Sequence, residues 1–256
     1  MTIIQNMKQM KLTLEELLIP NPSGSLKINK NKILSVKNRN DQTIPSLIYN
    51  FLLKNDYYKI EVRDNFIVVV PKNLTNNFVI LVSHLDNVYK KCFIKETEEN
   101  YIGTFDNILG LYVSLNLTNK NYNNIIFCYT DCEETDMSGI RTLNKYIAKK
   151  FTNNYKYTYI VLDVTEENVN VSTTIENSNI DCVVNEDIII IENDNCGYDE
   201  SAYLLKNSNV KTCSICAVLK MCDENDNCHN KNGNYIKKEN ILKYYNNVKM
   251  IVERNL

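Results

Sequence analysis

The sequence predicts an α/β protein, a three-layer αβα sandwich around a mostly parallel, mixed central sheet. Three observations predict it. Continuous apolar runs at 78–83, 124–130 and 157–162 have the length and the β-branched, aromatic content of strands buried on both faces. Helical periodicity follows these runs at 106–117, 139–149 and 237–252, and alternation of strand and helix builds a parallel sheet with helices on its faces. With 256 residues, 44% of them hydrophobic, the chain can supply the core of one large domain.

In chain order, residues 12–18 read as a short amphipathic helix stopped by Pro20 and Pro22. Residues 46–54 form a second helix, followed by strands at 58–62 and 66–70. The run 78–83 is a central strand, and the helix 106–117 begins at Asp106, where the macrodipole favours a carboxylate. Further strands are expected at 169–173, 188–191 and 210–218, with a helix over 200–205. The asparagine-rich stretch 29–40 fits a surface loop or an edge hairpin. No repeat and no low-complexity linker divides the chain, so a single domain over 1–256 is expected.

Composition excludes several function classes. A net charge of −2 gives no basic face for nucleic acid, and Arg39, Arg63, Arg141 and Arg254 are the only arginines. No apolar run approaches the roughly 18 residues that span a bilayer, and residues 1–8 lack a signal-peptide pattern. A cytoplasmic protein without membrane partners is expected. Nine cysteines, an odd number in a large chain, point to reduced thiols. Cys213, Cys216, Cys222 and Cys228 could form a Cys₄ site, but their irregular spacing and the alternation of 213–218 favour a core strand carrying small thiols.

The chemistry concentrates in a few acids and the only two histidines. His84 closes the central run and is followed by Asp86; Glu133, Glu134 and Asp163 each follow an apolar strand; Asp106 opens a helix; His229 lies near the C-terminus. In open α/β sheets, ligands bind beyond the carboxyl ends of the strands. Two imidazoles and several carboxylates delivered to one such edge suit a pair of divalent cations, zinc first, with cobalt or manganese as alternatives. Of two adjacent glutamates, one can ligate while the other serves as general base. Asp86 is placed to hold the far ring nitrogen of His84.

Taken together, the chain resembles the catalytic domain of the co-catalytic dizinc exopeptidases, the superfamily of the M20, M28 and M42 metallopeptidases. The segment 17–24, Leu-Leu-Ile-Pro-Asn-Pro-Ser-Gly, is similar to their Ile-Pro-Ser-Pro-Ser-Gly opening. His84-Leu85-Asp86 matches His-x-Asp, Asp106-Asn107-Ile108-Leu109-Gly110 matches Asp-Asn-x-x-Gly, and Thr130-Asp131-Cys132-Glu133-Glu134 matches Thr-x-x-Glu-Glu. Gly197-Tyr198-Asp199-Glu200-Ser201-Ala202 resembles a late Gly-x-Asp-x-x-Ala segment. The resemblance implies the phosphorylase/hydrolase-like sandwich of that superfamily. It further implies Asp106 bridging two metals, His84 and Asp163 completing one site, Glu134 and His229 the other, Glu133 as base and Asp86 orienting His84. The reaction it implies is attack on a scissile carbonyl by a hydroxide held between the two cations.

Departures narrow the expectation. Asp106 follows His84 by only 22 positions, and His229 follows Asp163 by 66, so neither an M42-type insertion nor an M20-type lid fits. Gly233 stands four residues after His229, where the family often has Glu. Scarce arginine disfavours holding a substrate carboxylate, while Asp194, Asp199 or Glu200 could hold an α-ammonium. An aminopeptidase acting on short peptides is therefore expected. A carboxypeptidase or N-acyl amino acid deacylase of the same fold is the alternative, and a non-catalytic binding relative is disfavoured by the intact Glu133.

Overall fold

The computed structural model describes residues 12–27, 43–152, 154–166, 169–221, 229 and 232–254. The asparagine-rich stretch 29–40, the first eight residues, Cys222 and Cys228 lie outside these, and with them the readings placed there.

Eight strands form the main sheet: β1 (Tyr58–Val62), β2 (Phe66–Pro71), β3 (Asn77–His84), β6 (Ile125–Thr130), β7 (Lys156–Thr165), β8 (Thr173–Glu176), β9 (Ile188–Ile190) and β10 (Lys211–Val218). Their order is β1-β2-β6-β3-β7-β10-β8-β9. The centre, β6-β3-β7-β10, is parallel throughout, and β8 joins β10 antiparallel. This is the mostly parallel mixed sheet that the apolar runs predict.

Alternation along the central strands feeds two cores. Val79 and Leu81 of β3 enter one cluster with Leu109 and Val113 of α2 (Ile108–Thr118) and Val248 and Ile251 of α5 (Lys238–Arg254). Phe78, Ile80 and Val82 enter the other with Ile140, Leu143 and Ile147 of α3 (Ser138–Lys150) and Leu204 of α4 (Glu200–Asn207). Helices thus cover both faces, which makes three layers. The helix α1 (Ile44–Leu52) starts under a capping box in which Thr43 and Ser46 exchange side-chain and backbone hydrogen bonds. No described helix is long and apolar enough to cross a membrane.

Several boundaries differ from expectation. The helix expected over 12–18 is a single 3₁₀ turn, Glu15–Leu17. β7 runs on to Thr165 instead of ending at 162, because Asp163 and Val164 stay in ladder register with Cys216 and Ala217 of β10. The strand expected over 169–173 lies at Thr173–Glu176; the Val218 N–H donates to the Ser172 carbonyl, and this fixes where pairing begins. A second sheet was not expected. It consists of β4 (Ile94–Glu96), β5 (Asn100–Gly103) and β11 (Asn234–Lys237), all antiparallel. These strands have three or four residues each and carry no apolar run of strand length.

Candidate metal centre

The carboxyl edge of the parallel strands gathers the acids and both histidines. His84 is the last residue of β3, in register with Thr130, the last of β6. Asp163 sits inside β7 and not after it. Glu133 and Glu134 occupy the turn that leaves β6 through Cys132, which has the left-handed φ of 67°. Asp106 precedes α2 by two residues, so the helix N-cap is Asn107 and not Asp106. The Gly110 N–H donates to Asn107 Oδ1 at 3.0 Å, and Asn107 Nδ2 donates to the Leu162 carbonyl at 2.7 Å. A Cβ on residue 110 would meet Asn107 Oδ1 at 2.3 Å, so a side chain there would have to displace the Asn107 cap. The Asp-Asn-x-x-Gly motif therefore ties the start of α2 to β7 one residue before Asp163. The Asp106–Asn107 peptide is cis.

His84 is buried and points Nε2 between two carboxylates, 3.1 Å from Asp106 Oδ1 and 3.5 Å from Asp163 Oδ1. His229 points Nε2 at Asp106 Oδ2, 3.0 Å away, and Glu134 Oε2, 3.3 Å away. Asp106 thus turns one oxygen to each imidazole. Two donor groups result, His84-Asp106-Asp163 and Asp106-Glu134-His229, which share Asp106; His84-Glu133-Glu134 forms a third. A tetrahedral ion with bonds near 2.05 Å separates its ligands by about 3.3 Å, which is the range these donors span.

Hydrogen bonding does not satisfy this cluster. Asp106 Oδ1 and Glu134 Oε1 are buried without a hydrogen-bond partner, the His84 contact being out of line for one. Buried unpaired carboxylate oxygens are costly unless a cation meets them. The donor set therefore fits divalent metal ions. His84 Nδ1 lies 2.9 Å from the Asp86 carbonyl oxygen, which can only accept, so Nδ1 carries the proton and Nε2 faces the carboxylates. Asp86 was expected to hold this nitrogen by its side chain. The carboxylate stands 3.7 Å away and binds the Glu133 and Glu134 amides instead.

Without a cation the cluster retains protons. Burial opposes a charged His84, but Glu133, Asp106, Asp163 and Asp86 outweigh it and hold its pKa well above the imidazole value. The hydrogen bond to Asp106 lifts His229 to about 9. Burial, then the nearby Asp163, Asp106 and Glu200 carboxylates, push Glu133 up to about 10. Burial and Asp106 lift Glu134 to about 7, and burial above all lifts Asp163 to about 6. Asp106 is held well below the carboxylate range, since the adjoining His229 and His84 imidazoles outweigh burial.

A cavity of about 450 Å³ opens onto Asp106, Glu133, Glu134, Asp163 and His229. Glu166, Glu176 and Asp199 also line it, and among its described lining residues there is no Lys or Arg. Asp199 caps α4 and receives Asn177 Nδ2, Ser201 Oγ and the Ala202 N–H, all on Oδ1, which leaves Oδ2 available at the cavity wall. Asp194 lies in the exposed turn Asn193–Asn195 and Glu200 is buried, and neither lines the cavity. Sequence reasoning passed over Glu166 and Glu176, which stand outside every recognised motif. It also left Asp131 without a role, although Asp131 falls within Thr-x-x-Glu-Glu.

No protein-family model matches the chain, and no curated protein matches it. Solved structures do. The chain is similar to the TET1 peptidase of Pyrococcus horikoshii at 11% identity and a TM-score of 0.62, over 94% of this chain and 99% of that one. It is similar to a TET aminopeptidase from a marine sediment thaumarchaeon at 8% identity and a TM-score of 0.62, over 94% of each chain. Aminopeptidase PepT from Bacillus cereus aligns at 9% identity and a TM-score of 0.58, over 94% of this chain and 96% of that one. The shared feature is the fold, a helix-flanked, mostly parallel mixed sheet.

Proposed function

We propose that the chain is a metal-dependent exopeptidase, an aminopeptidase that removes N-terminal residues from short peptides, built as one catalytic domain without a lid. The observation that carries this reading is the pair of donor groups sharing Asp106, with Glu133 beside them at the wall of an open cavity. The fold held in common with aminopeptidases supports it. His84, Asp106 and Asp163 would hold one divalent ion, and Asp106, Glu134 and His229 a second, zinc being the ion that imidazole and carboxylate donors suit first. When bound, the ions would polarise the scissile carbonyl.

The chain's own groups do the rest. Glu133 accepts the proton of the attacking water and delivers it to the leaving amine, so one carboxylate serves as base and then as acid. The Asp86 carbonyl fixes the orientation of His84. Glu176 and Asp199 at the wall attract an α-ammonium, and the same field repels a free C-terminal carboxylate. A carboxypeptidase would need a Lys or Arg there, and the described lining supplies neither.

The test compares a free tripeptide with its N-acetylated and C-amidated forms on zinc-reconstituted protein, with elemental analysis alongside. About two metals per chain, tolerance of amidation and loss of turnover on acetylation are expected. Folded protein that takes up no metal at micromolar zinc rejects the reading. The opposite end preference replaces the aminopeptidase by a carboxypeptidase or deacylase.

A further inference from the structure

Two further carboxylates lie beside the candidate centre, and they cross-link the segment 23–26 to the Glu133–Glu134 turn. Asp86 and Asp131 are both 0% exposed. Asp86 accepts from Ser23 Oγ at 2.5 Å and from the Glu133 and Glu134 amides at 3.1 and 3.2 Å. Asp131 accepts from the Gly24, Leu26 and Cys132 amides at 3.0, 2.8 and 2.9 Å. Of these six donors, three come from the segment and three from the turn. Apart from His84 beside Asp86, the donors are all neutral.

The turn needs such holding. Cys132 has a φ of 67°, a region unfavourable for a residue with a side chain. The segment, in contrast, is shaped for its task. Gly24 at φ 79° bends it so that the amides of residues 24 and 26 both reach Asp131. Its near end is clasped to the chain beyond β3. Asn21 Nδ2 donates to the Leu85 carbonyl, the Asn87 N–H to the Asn21 carbonyl, and Ser25 Oγ to Asn21 Oδ1. The Ser23 hydroxyl, acting through the Asp86 carboxylate, and the Asp131 carboxylate join this strap to the turn.

We infer that Ser23 and Asp131 are positioning residues: the strap they anchor sets, through Asp86, where the Glu133–Glu134 turn stands. The inference rests on the proposed roles of Glu133 as base and Glu134 as ligand. Neither Ser23 nor Asp131 touches the reacting atoms. Removing the Ser23 hydroxyl leaves Asp86 with the two turn amides alone, so the turn is tied to the strap only through Asp131.

Amide hydrogen exchange in zinc-free protein reads this directly. In Ser23→Ala, residues 131–135 should exchange about tenfold faster, the order expected for loss of a charge-assisted hydrogen bond, while β3 stays as protected as in the wild type. Asp131→Asn, which turns an acceptor oxygen into a donor facing strap amides, should loosen the same residues. In the zinc-loaded enzyme, Ser23→Ala should lower kcat about tenfold with KM and zinc stoichiometry unchanged, and Ser23→Thr, which keeps the hydroxyl, should restore kcat. Unchanged exchange in both variants overturns the inference. So does faster exchange with unchanged kcat, because the strap would then only stabilise the fold. A wild-type protein that binds zinc yet cleaves no peptide overturns the peptidase reading, and the exchange result still decides whether the strap holds the turn.

Discussion

Two sets of buried carboxylates lie side by side in this molecule and are treated in opposite ways. Asp86 and Asp131 are saturated by amide and hydroxyl donors, six in all. Asp106 and Glu134 each keep a buried oxygen with no hydrogen-bond partner, and Asp106 faces two imidazoles. Backbone amides can make an anionic carboxylate comfortable in a protein interior. A fold that supplies donors to every oxygen of Asp86 and Asp131 leaves the other group unsatisfied nearby. On the proposed reading, the difference separates a scaffold from a site: the first set would fix chain geometry, and the second would be completed by cations. Substitutions in the second set should therefore change metal content and chemistry, and substitutions in the first should change precision.

The sharpest break between the sets is Glu133→Gln. It keeps shape and removes basicity, so turnover should fall about 10²–10⁴-fold, the usual contribution of a general base, while two metals remain by elemental analysis. The donor group His84-Glu133-Glu134 makes the control informative. Should Glu133→Gln release metal and Glu134→Gln spare it, the two glutamates exchange roles.

Next in size are the metal losses. Asp106 belongs to both donor groups that the proposed roles use, so Asp106→Ala should abolish uptake of both ions. His84→Ala should lose at least one. Asp86→Ala should weaken zinc binding only about 10–100-fold, as supporting residues do, because the His84 ring is held by the main-chain carbonyl, which that substitution keeps. Equal losses from Asp86→Ala and Asp106→Ala, in a competition assay with a chromophoric chelator, would erase the distinction between the sets.

The sequence made the second set legible and the first only in part. His84, Glu133, Glu134 and Asp163 could be picked out because apolar runs mark the central strands and those strands end at one edge, while Asp106 stood at an expected helix start and His229 was one of only two histidines. Side-chain types then narrowed the choice. The saturated set depends on contacts between residues far apart in the chain, 63 positions for Ser23 to Asp86 and 107 for Gly24 to Asp131. No local pattern reports a hydrogen bond of that kind. The same reason hid the small second sheet, where Gly103 of β5 pairs with Asn234 of β11. It also hid the extension of β7 past Asp163, which pairing with β10 enforces against the residue's polarity. That Asp86 holds His84 through its carbonyl is likewise a matter of backbone geometry, which the His-x-Asp spacing cannot distinguish from a side-chain contact.

The smallest expected effect is on the pH dependence of stability, read on the unsatisfied set. In zinc-free protein Asp163 titrates near 6, Glu134 near 7 and His229 near 9, against ordinary values of 3.8, 4.5 and 6.5. All three are raised. A raised group favours the folded state fully below its ordinary value, and that advantage is lost as pH climbs through the folded value. Zinc-free protein should therefore lose thermal stability between about pH 5 and 9. His229 contributes least to this loss, because its side chain is 42% exposed and solvent screens it. Zinc takes the place of the protons, so its affinity should rise with pH and the loaded protein should lose this slope. Differential scanning calorimetry with and without zinc measures both, and Glu134→Gln, which cannot titrate, should flatten the zinc-free curve near pH 7. A zinc-free melting temperature that rises across that window would mean the carboxylates are stabilised by donors after all, and the contrast between the two sets would fall.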